Sequence, residues 1–158
     1  MSICRVHRVL GPLALTLALT GAGGCGLVKP MLLKSVANTL SGPGGVVTSH
    51  NDPETVRGAL DFALITNESL LASIPTHEPL LTATCSQYTQ YAFGFIQPDA
   101  EALQFDDFEK SQVISARALR LALRGRDYCW RALEVKFKGI TPLLKTEPDA
   151  ALRPAKRD

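Results

Sequence analysis

Residues 51–97, NDPETVRGALDFALITNESLLASIPTHEPLLTATCSQYTQYAFGFIQ, decide the fold, because they carry the start, face and end of two helices. Asp52 before Pro53 is typical of a helix start, since the Asp side chain accepts bonds from free amides and proline at the first helical position loses none. Apolar residues then recur at three- and four-residue spacings, which predicts an amphipathic helix that ends at Ile74-Pro75. Its apolar face consists of Val56, Leu60, Ala63, Leu70 and Ile74.

A second helix is predicted to begin at Pro79 and to carry an apolar face of the same period. The two faces can meet as an antiparallel hairpin, and many small residues let the helix axes approach closely. Tyr88 and Tyr91 are interpreted as core residues; the alternative is an aromatic wall that faces a ligand. The apolar face of this helix consists of Leu81, Cys85, Tyr88, Ala92 and Phe95.

One polar residue, Asn67, falls on the apolar face of the first helix. We interpret it as a core amide bonded to a neighbouring helix, because buried polar groups are usually paired. The alternative is a polar residue that lines an internal cavity. Glu68 beside it is expected to be solvated or paired.

After a short turn over residues 99–104, a third helix is predicted from Asp106 or Asp107 to Lys138, with Gly139 as its end. We interpret its charged face as solvated, with Asp127–Arg131 and Glu134–Lys138 pairs that contribute a few tenths of a kcal/mol each. The alternative is an Arg-lined surface for an organic acid or an acidic partner, because guanidinium groups suit carboxylates. The buried stripe consists of Ile114, Ala118, Leu121, Gly125, Tyr128 and Ala132. The charged face consists of Arg117, Arg120, Arg124, Asp127, Arg131, Glu134 and Lys138.

The periodicities predict an all-α fold, and the amino-acid sequences of the helices resemble those of a known family. In order and spacing, DPETVRGAL, NESLLAS, HEPLLTATCSQYTQYAFGFIQ and ALRLALRGRDYCWRALE resemble the T components of TRAP transporters (TatT), over roughly residues 41–152. The resemblance implies tetratricopeptide-like helix hairpins stacked as a partial solenoid. It also implies a periplasmic lipoprotein that partners the solute-receptor (P-type) subunit and is not an enzyme.

Residues 1–24 are predicted to be a signal peptide, because a positive start precedes an apolar run too short to span a bilayer. Ala22-Gly23-Gly24-Cys25 resembles a bacterial lipobox, which predicts lipidation at Cys25. The alternative is ordinary secretory cleavage and a soluble protein with a free Cys25. Gly26, where an Asp would favour the inner membrane, favours the outer membrane. Residues 25–51 are expected to form a tether with one short packing helix over residues 31–40, before the breaker cluster at 41–45.

Two cysteines, Cys85 and Cys129, remain after Cys4 leaves with the signal peptide and Cys25 is acylated. They could form a disulfide between the second and third helices in an oxidising periplasm. The resemblance implies small residues at both positions, and we expect two buried, unpaired side chains.

Composition limits the function classes. The 158 residues suit one domain. Of 17 basic residues, Arg5 and Arg8 lie in the signal peptide, which leaves 15 basic against 15 acidic residues, so a nucleic-acid partner is not supported. Of the three histidines, His7 lies in the signal peptide, and His50 and His77 show no metal-ligand spacing. No nucleophile motif is present, so neither a catalytic residue nor a cofactor is predicted.

Two functions are compatible with the sequence. The first is an accessory subunit of a TRAP-type transporter that docks the solute receptor and passes a small ligand through its helical body; the second is a scaffold lipoprotein that acts through protein contacts only. Asn67, Tyr88, Tyr91, Arg117, Arg120 and Arg124 are the candidate ligand- or partner-facing residues.

The end of the chain adds an expectation about stability. The resemblance implies relatives that continue for about as long again, so residues 52–147 would be an incomplete helical-repeat domain and residues 148–158 a truncated tail. Because solenoids are stabilised by neighbouring repeats, we expect a marginal chain that self-associates. The alternative is that the helix at 31–40 folds over the exposed face of the third helix.

Overall fold

The computed structural model describes residues 25–42 and 50–153, with side chains from residue 30 onward. The signal peptide, most of the glycine-rich segment after Gly42 and the last five residues lie outside the described residues. The described residues form helices and turns without strands, which confirms the all-α prediction; the solenoid arrangement stays a prediction. The elements are α1 Cys25–Ser41, α2 Pro53–Ser73, α3 Glu78–Tyr91, a π-helical turn Ala92–Ile96, α4 Gln97–Ala102, α5 Phe108–Lys136, α6 Ile140–Thr146 and α7 Pro148–Leu152.

The ends of α2 lie where the sequence places them. The Asp52 carboxylate accepts the backbone N–H of Glu54 at 3.1 Å, Pro53 takes the first helical position, and Ile74 is the C-cap. The next helix, α3, begins one residue before the predicted Pro79. His77 caps it, because its Nδ1 accepts the backbone N–H of Leu80 at 3.2 Å, a role the sequence analysis did not assign.

The prediction of a turn at residues 99–104 is wrong. Helix α3 continues through the π-helical turn into α4, and the chain turns only at residues 103–107. The N–H of Gln97 bonds the carbonyl of Ala92, five residues back, and Pro98 then falls in the first turn of α4, where it needs no amide bond. The Ser111 hydroxyl donates to the carbonyl of Ala100 at 2.8 Å and so fixes α4 to α5.

Helix α5 starts at the predicted cap, Asp107, and ends at Lys136, two residues earlier than predicted. Its ion pairs differ from those expected. Asp127 contacts Arg126 at 2.9 Å instead of Arg131. Glu134 does not pair with Lys138 among the described residues; its carboxylate accepts the N–H of Gly139 at 2.6 Å and so holds the turn into α6.

The core lies around α3, which contacts α1, α2 and α5. One cluster joins the earlier parts of α2 and α5 to the end of α3. A second cluster joins the later parts of α2 and α5 to the start of α3 and to Ala37 of α1. Helix α1 therefore packs on α3 and α2, not over the outer face of α5, and residues 25–30, expected as a tether, are helical. The first cluster is Leu60, Leu64, Tyr88, Tyr91, Ile96 and Ala118. The second is Ala37, Leu71, Ile74, Leu80, Leu81 and Ala132.

A disulfide joins Cys85 on α3 to Cys129 on α5, with their Cα atoms 5.1 Å apart. This finding corrects the expectation of two unpaired thiols. Both side chains are half-buried at the edge of the α3–α5 interface, so the bond reinforces a contact that the helices already make.

Membrane-spanning helices need a long, almost uncharged apolar run. Within residues 25–42 and 50–153, no helix meets that requirement.

Candidate functional site

Three polar side chains converge on Glu68 in the last third of α2. The carboxylate accepts hydrogen bonds from the hydroxyls of Tyr88 and Tyr128, at 2.6 and 3.0 Å, both on Oε1. Arg124 of α5 binds both oxygens, Nε to Oε1 and Nη2 to Oε2, the latter at 2.6 Å. Three helices thus supply one network, the Glu68 cluster, which consists of Glu68, Tyr88, Arg124 and Tyr128.

Ring stacking and guanidinium contacts hold the two tyrosines of the Glu68 cluster in place. Their rings stack, with centroids 5.9 Å apart and planes 6° from parallel. The Arg124 guanidinium lies 6.0 Å from the centroid of the Tyr88 ring and that of Arg131 lies 5.1 Å from the centroid of the Tyr128 ring, so each ring has a cation–π contact. The stack is close because Gly125 has no side chain at the point where α5 crosses Tyr88.

Electrostatics keep Glu68 ionised. Burial alone would raise the pKa of this carboxyl, but the hydrogen bonds from Arg124, Tyr88 and Tyr128 together outweigh burial and hold the pKa below its ordinary value. Burial, followed by the bond to Glu68, raises the pKa of both tyrosines, so they stay protonated as donors. The hydrogen bond to Glu68 raises the pKa of Arg124, whose charge is therefore permanent.

Beside the Glu68 cluster, an open groove runs between α2 and α5, and we call it the α2–α5 groove. One part has a volume of about 430 Å³, and the adjoining part, about 580 Å³, shares Pro75 and Arg131 with it. The Arg131 guanidinium donates to the carbonyl of Pro75 at 3.1 Å, so it bridges the groove floor. The groove is lined by Glu68, Leu71, Ala72, Pro75, Thr76, Arg124, Tyr128, Arg131, Glu134, Val135 and Lys138.

The structure brings only two of the six candidate residues into this site. Tyr88 and Arg124 meet at Glu68, as described. Asn67 is 1% exposed and its Nδ2 donates to Gln87 Oε1 at 2.8 Å. This arrangement is that of a core amide bonded to a neighbouring helix. Arg120 is exposed and lies outside both the Glu68 cluster and the groove.

The remaining two candidates, Tyr91 and Arg117, form a separate contact nearer the start of α5. Arg117 donates to the Tyr91 hydroxyl at 3.3 Å and its guanidinium lies 5.7 Å from that ring. Burial raises the pKa of Tyr91, and a hydrogen bond with Asp61 raises it further. Nearby, Arg57 and Asp99 form a bidentate pair at 2.7 and 3.0 Å, which ties α2 to α4 and holds the pKa of Asp99 low.

Sequence reasoning missed Glu68 as the centre of the cluster and placed Tyr128 only in the core. The usable signal was the position of Glu68 beside Asn67, at the border of a buried face, opposite a helix rich in arginine. Partners 20 to 60 residues away could be identified only once the helices were placed. Within residues 25–42 and 50–153, no three His, Cys, Asp or Glu side chains form a group that could hold a metal ion.

Fold and groove together define a helical protein that presents a charged, open surface. The chain belongs to the TRAP transporter T-component (TAtT) family, whose model matches residues 49–158 and so includes α2 through α7. This is a family of transporter accessory components, not of enzymes.

Among curated relatives, the chain is similar to an uncharacterized protein of Treponema pallidum (strain Nichols), with 34% identity over 96 residues. That match covers 61% of this chain and 30% of the relative, so the chain spans about a third of the relative's length. No solved structure matches the chain.

Proposed function

We propose that this protein is a lipid-anchored periplasmic accessory subunit of a TRAP-type solute transporter, which docks the solute-receptor subunit. The observation that carries the proposal is the family match over residues 49–158, which contains every residue of the α2–α5 groove. Association with other transporter subunits is what that family implies.

The cysteines support the proposed compartment. Disulfides persist in the bacterial periplasm and are rare in the cytosol, so the Cys85–Cys129 bond favours an exported chain. Export agrees with the predicted signal peptide at residues 1–24. Cys25, the predicted lipidation site, then becomes the first residue of the processed chain and of α1, and Gly26 after it favours the outer membrane.

The α2–α5 groove is the proposed docking face. The Glu68 carboxylate neutralises Arg124, whereas Arg131 is held by a backbone carbonyl and by Tyr128, neither of which cancels its charge. Arg131 and Lys138 lie in this part of the groove with one carboxylate, Glu134, so its lining carries one net positive charge. That charge lies next to the apolar surface of Val135 and Pro75. An acidic patch on a receptor subunit, or the carboxylate of a small ligand passing between the subunits, would complement it.

The groove is open to solvent, so we propose that a docked receptor closes it into the path along which a small ligand passes. The alternative function, a scaffold lipoprotein, would use the same face for protein contacts and carry no ligand.

Co-purification tests the docking proposal. A tagged chain is expected to retain the solute-receptor subunit of its own organism, and Arg131→Glu with Lys138→Glu is expected to weaken binding roughly tenfold or more, because reversed charges repel the partner. Arg126→Glu is the matched control, since Arg126 is exposed on α5, contacts Asp127 and lies outside the groove. Recovery of another envelope protein, without any solute receptor, would instead favour the scaffold.

A further inference from the structure

One side of α1 carries an apolar stripe that is about half exposed. Leu32, Val36 and Leu40, spaced four residues apart, are 60%, 48% and 42% exposed and share one side of the helix. Ala37, on a different side, is completely buried against the core around α3. Helix α1 therefore uses one side to attach to the body and leaves a second apolar side about half exposed.

The charged residues of the segment that contains this stripe have one sign. Residues 25–51 contain two lysines, Lys29 and Lys34, and no acidic residue, whereas all 15 acidic residues of the protein lie from Asp52 onward. A segment that has an exposed apolar helix side, two lysines and no carboxylate complements a surface that is both apolar and anionic. Anionic phospholipid has that combination, because its negative headgroups lie directly above its acyl chains.

The position of the stripe agrees with that surface. Helix α1 begins at Cys25, and at a rise of about 1.5 Å per residue, Leu32 and Leu40 lie about 10 and 22 Å further along its axis. A lipid on Cys25 would hold the start of α1 at the bilayer. The whole stripe then reaches the headgroup region only if α1 lies in the plane of the membrane.

We propose that α1 is an interfacial membrane helix, with Leu32, Val36 and Leu40 inserted among the lipids of an anionic phospholipid surface. The inference rests on the proposed function, since it assumes that Cys25 carries the lipid anchor. Two attachments would fix the orientation of the body as well as its location. The rigid contact of Ala37 with the core would then set the direction in which the α2–α5 groove faces.

Vesicle binding without the acyl chain tests this helix separately from the anchor. The processed chain, residues 25–158 with Cys25→Ser, is mixed with phosphatidylcholine vesicles, with and without phosphatidylglycerol, and sedimented. Binding is expected only with phosphatidylglycerol, and replacement of Leu32, Val36 and Leu40 by serine should lower it roughly tenfold or more. Phe62→Ser with Ile65→Ser, which removes still more exposed side chains from α2, is the control and should bind like the parent.

Two further measurements make the outcome decisive. With Val36→Trp, the new indole should be quenched by brominated lipid, whereas quenching equal to that of the parent, which contains only Trp130, would overturn the proposal. Vesicle binding by the serine variant equal to that of the parent would also overturn the proposal. So would a dimer of the parent that the serine substitutions convert to monomers, because the stripe would then join two copies of the chain. Incorporation of labelled palmitate reports the lipid anchor independently of the helix. If the label enters the wild-type chain but not Cys25→Ser, and the acyl-free chain does not bind vesicles, the helix proposal fails and the lipoprotein proposal stands.

Discussion

A Cβ atom at Gly125 of α5 would lie 2.8 Å from the Cβ of Tyr88 on α3 and 3.3 Å from the carbonyl oxygen of Cys85. Real side chains do not approach so closely, so the glycine sets the distance between the two helices. The Cys85–Cys129 disulfide and the Tyr88–Tyr128 stack both depend on that distance, since each joins an α3 residue beside Gly125 to an α5 residue three or four positions after it.

Gly125→Ala is therefore expected to destabilise the protein, although alanine is the better helix former. Overpacking against a backbone carbonyl and a Cβ atom costs about 1 to 3 kcal/mol, more than the gain of up to about 1 kcal/mol in helix propensity. Gly58→Ala on α2 is the matched control, because nothing lies within 4 Å of its added Cβ. Urea unfolding should show a lower midpoint for the first variant and an equal or higher midpoint for the second. Equal midpoints for Gly125→Ala and the parent would show that the helices can separate without cost.

Glu68→Gln is expected to destabilise the protein at neutral pH by about 1 to 3 kcal/mol, because the charge-assisted bonds from Arg124 are lost and the partly buried hydroxyls of Tyr88 and Tyr128 lose their charged acceptor. Glu54→Gln is the control: its exposed carboxylate lies 3.7 Å from Arg57 and belongs to no network of this kind. Thermal unfolding at pH 7 should separate the two variants.

The same residue gives a pH dependence. The pKa of Glu68 is lower in the folded protein than its ordinary value of about 4.3, so the folded state binds this proton more weakly than the unfolded chain. Its contribution to stability is therefore complete above the ordinary pKa and is lost as the pH falls through the lowered one. Unfolding free energies measured between neutral and acidic pH should fall less steeply in Glu68→Gln than in the parent. Parallel curves would contradict the role assigned to the carboxylate.

The disulfide should be removable without loss of the fold but with a clear loss of stability. It closes a loop with a sequence separation of 44 residues, for which a contribution of about 2 to 4 kcal/mol is typical. The variant with Cys85→Ala and Cys129→Ala should have a lower unfolding midpoint than the oxidised parent and the same midpoint as the reduced parent. Mass spectrometry of the exported chain should show the two thiols joined, and free thiols at both positions would show that the bond does not form in the cell.

Local signals in the sequence predicted much of this architecture. Asp52, Pro53, Asp107 and Gly139 mark element boundaries through backbone chemistry that acts over a few residues, and the apolar periodicity identified the faces that are buried. The turn predicted at residues 99–104 was wrong, because Pro98 just before it suits both a turn and the first turn of a new helix, and the π-helical turn decides between them. The Glu68 cluster could not be predicted in the same way, since its members come from three helices and their meeting depends on the distance that Gly125 sets.

The final prediction concerns Asn67, which is buried in α2 and meets Gln87 of α3. Its Nδ2 is satisfied by Gln87, but its Oδ1 finds no hydrogen-bond partner among the described residues. Removing a buried donor's partner costs about 1 to 3 kcal/mol, whereas replacing both partners by apolar groups of similar shape can be neutral. Gln87→Leu should therefore destabilise the protein by about that amount, because it leaves the whole Asn67 amide unpaired.

Asn67→Leu should cost less, since it also removes an acceptor that is already unpaired and leaves Gln87, which is only half-buried, able to turn to solvent. The double variant should be close to Asn67→Leu alone, so the two effects should not add. Unfolding free energies of the four proteins form a double-mutant cycle that measures this coupling. If the single effects simply add, the hydrogen bond between Asn67 and Gln87 contributes nothing, and the polar pair is retained for a reason other than stability.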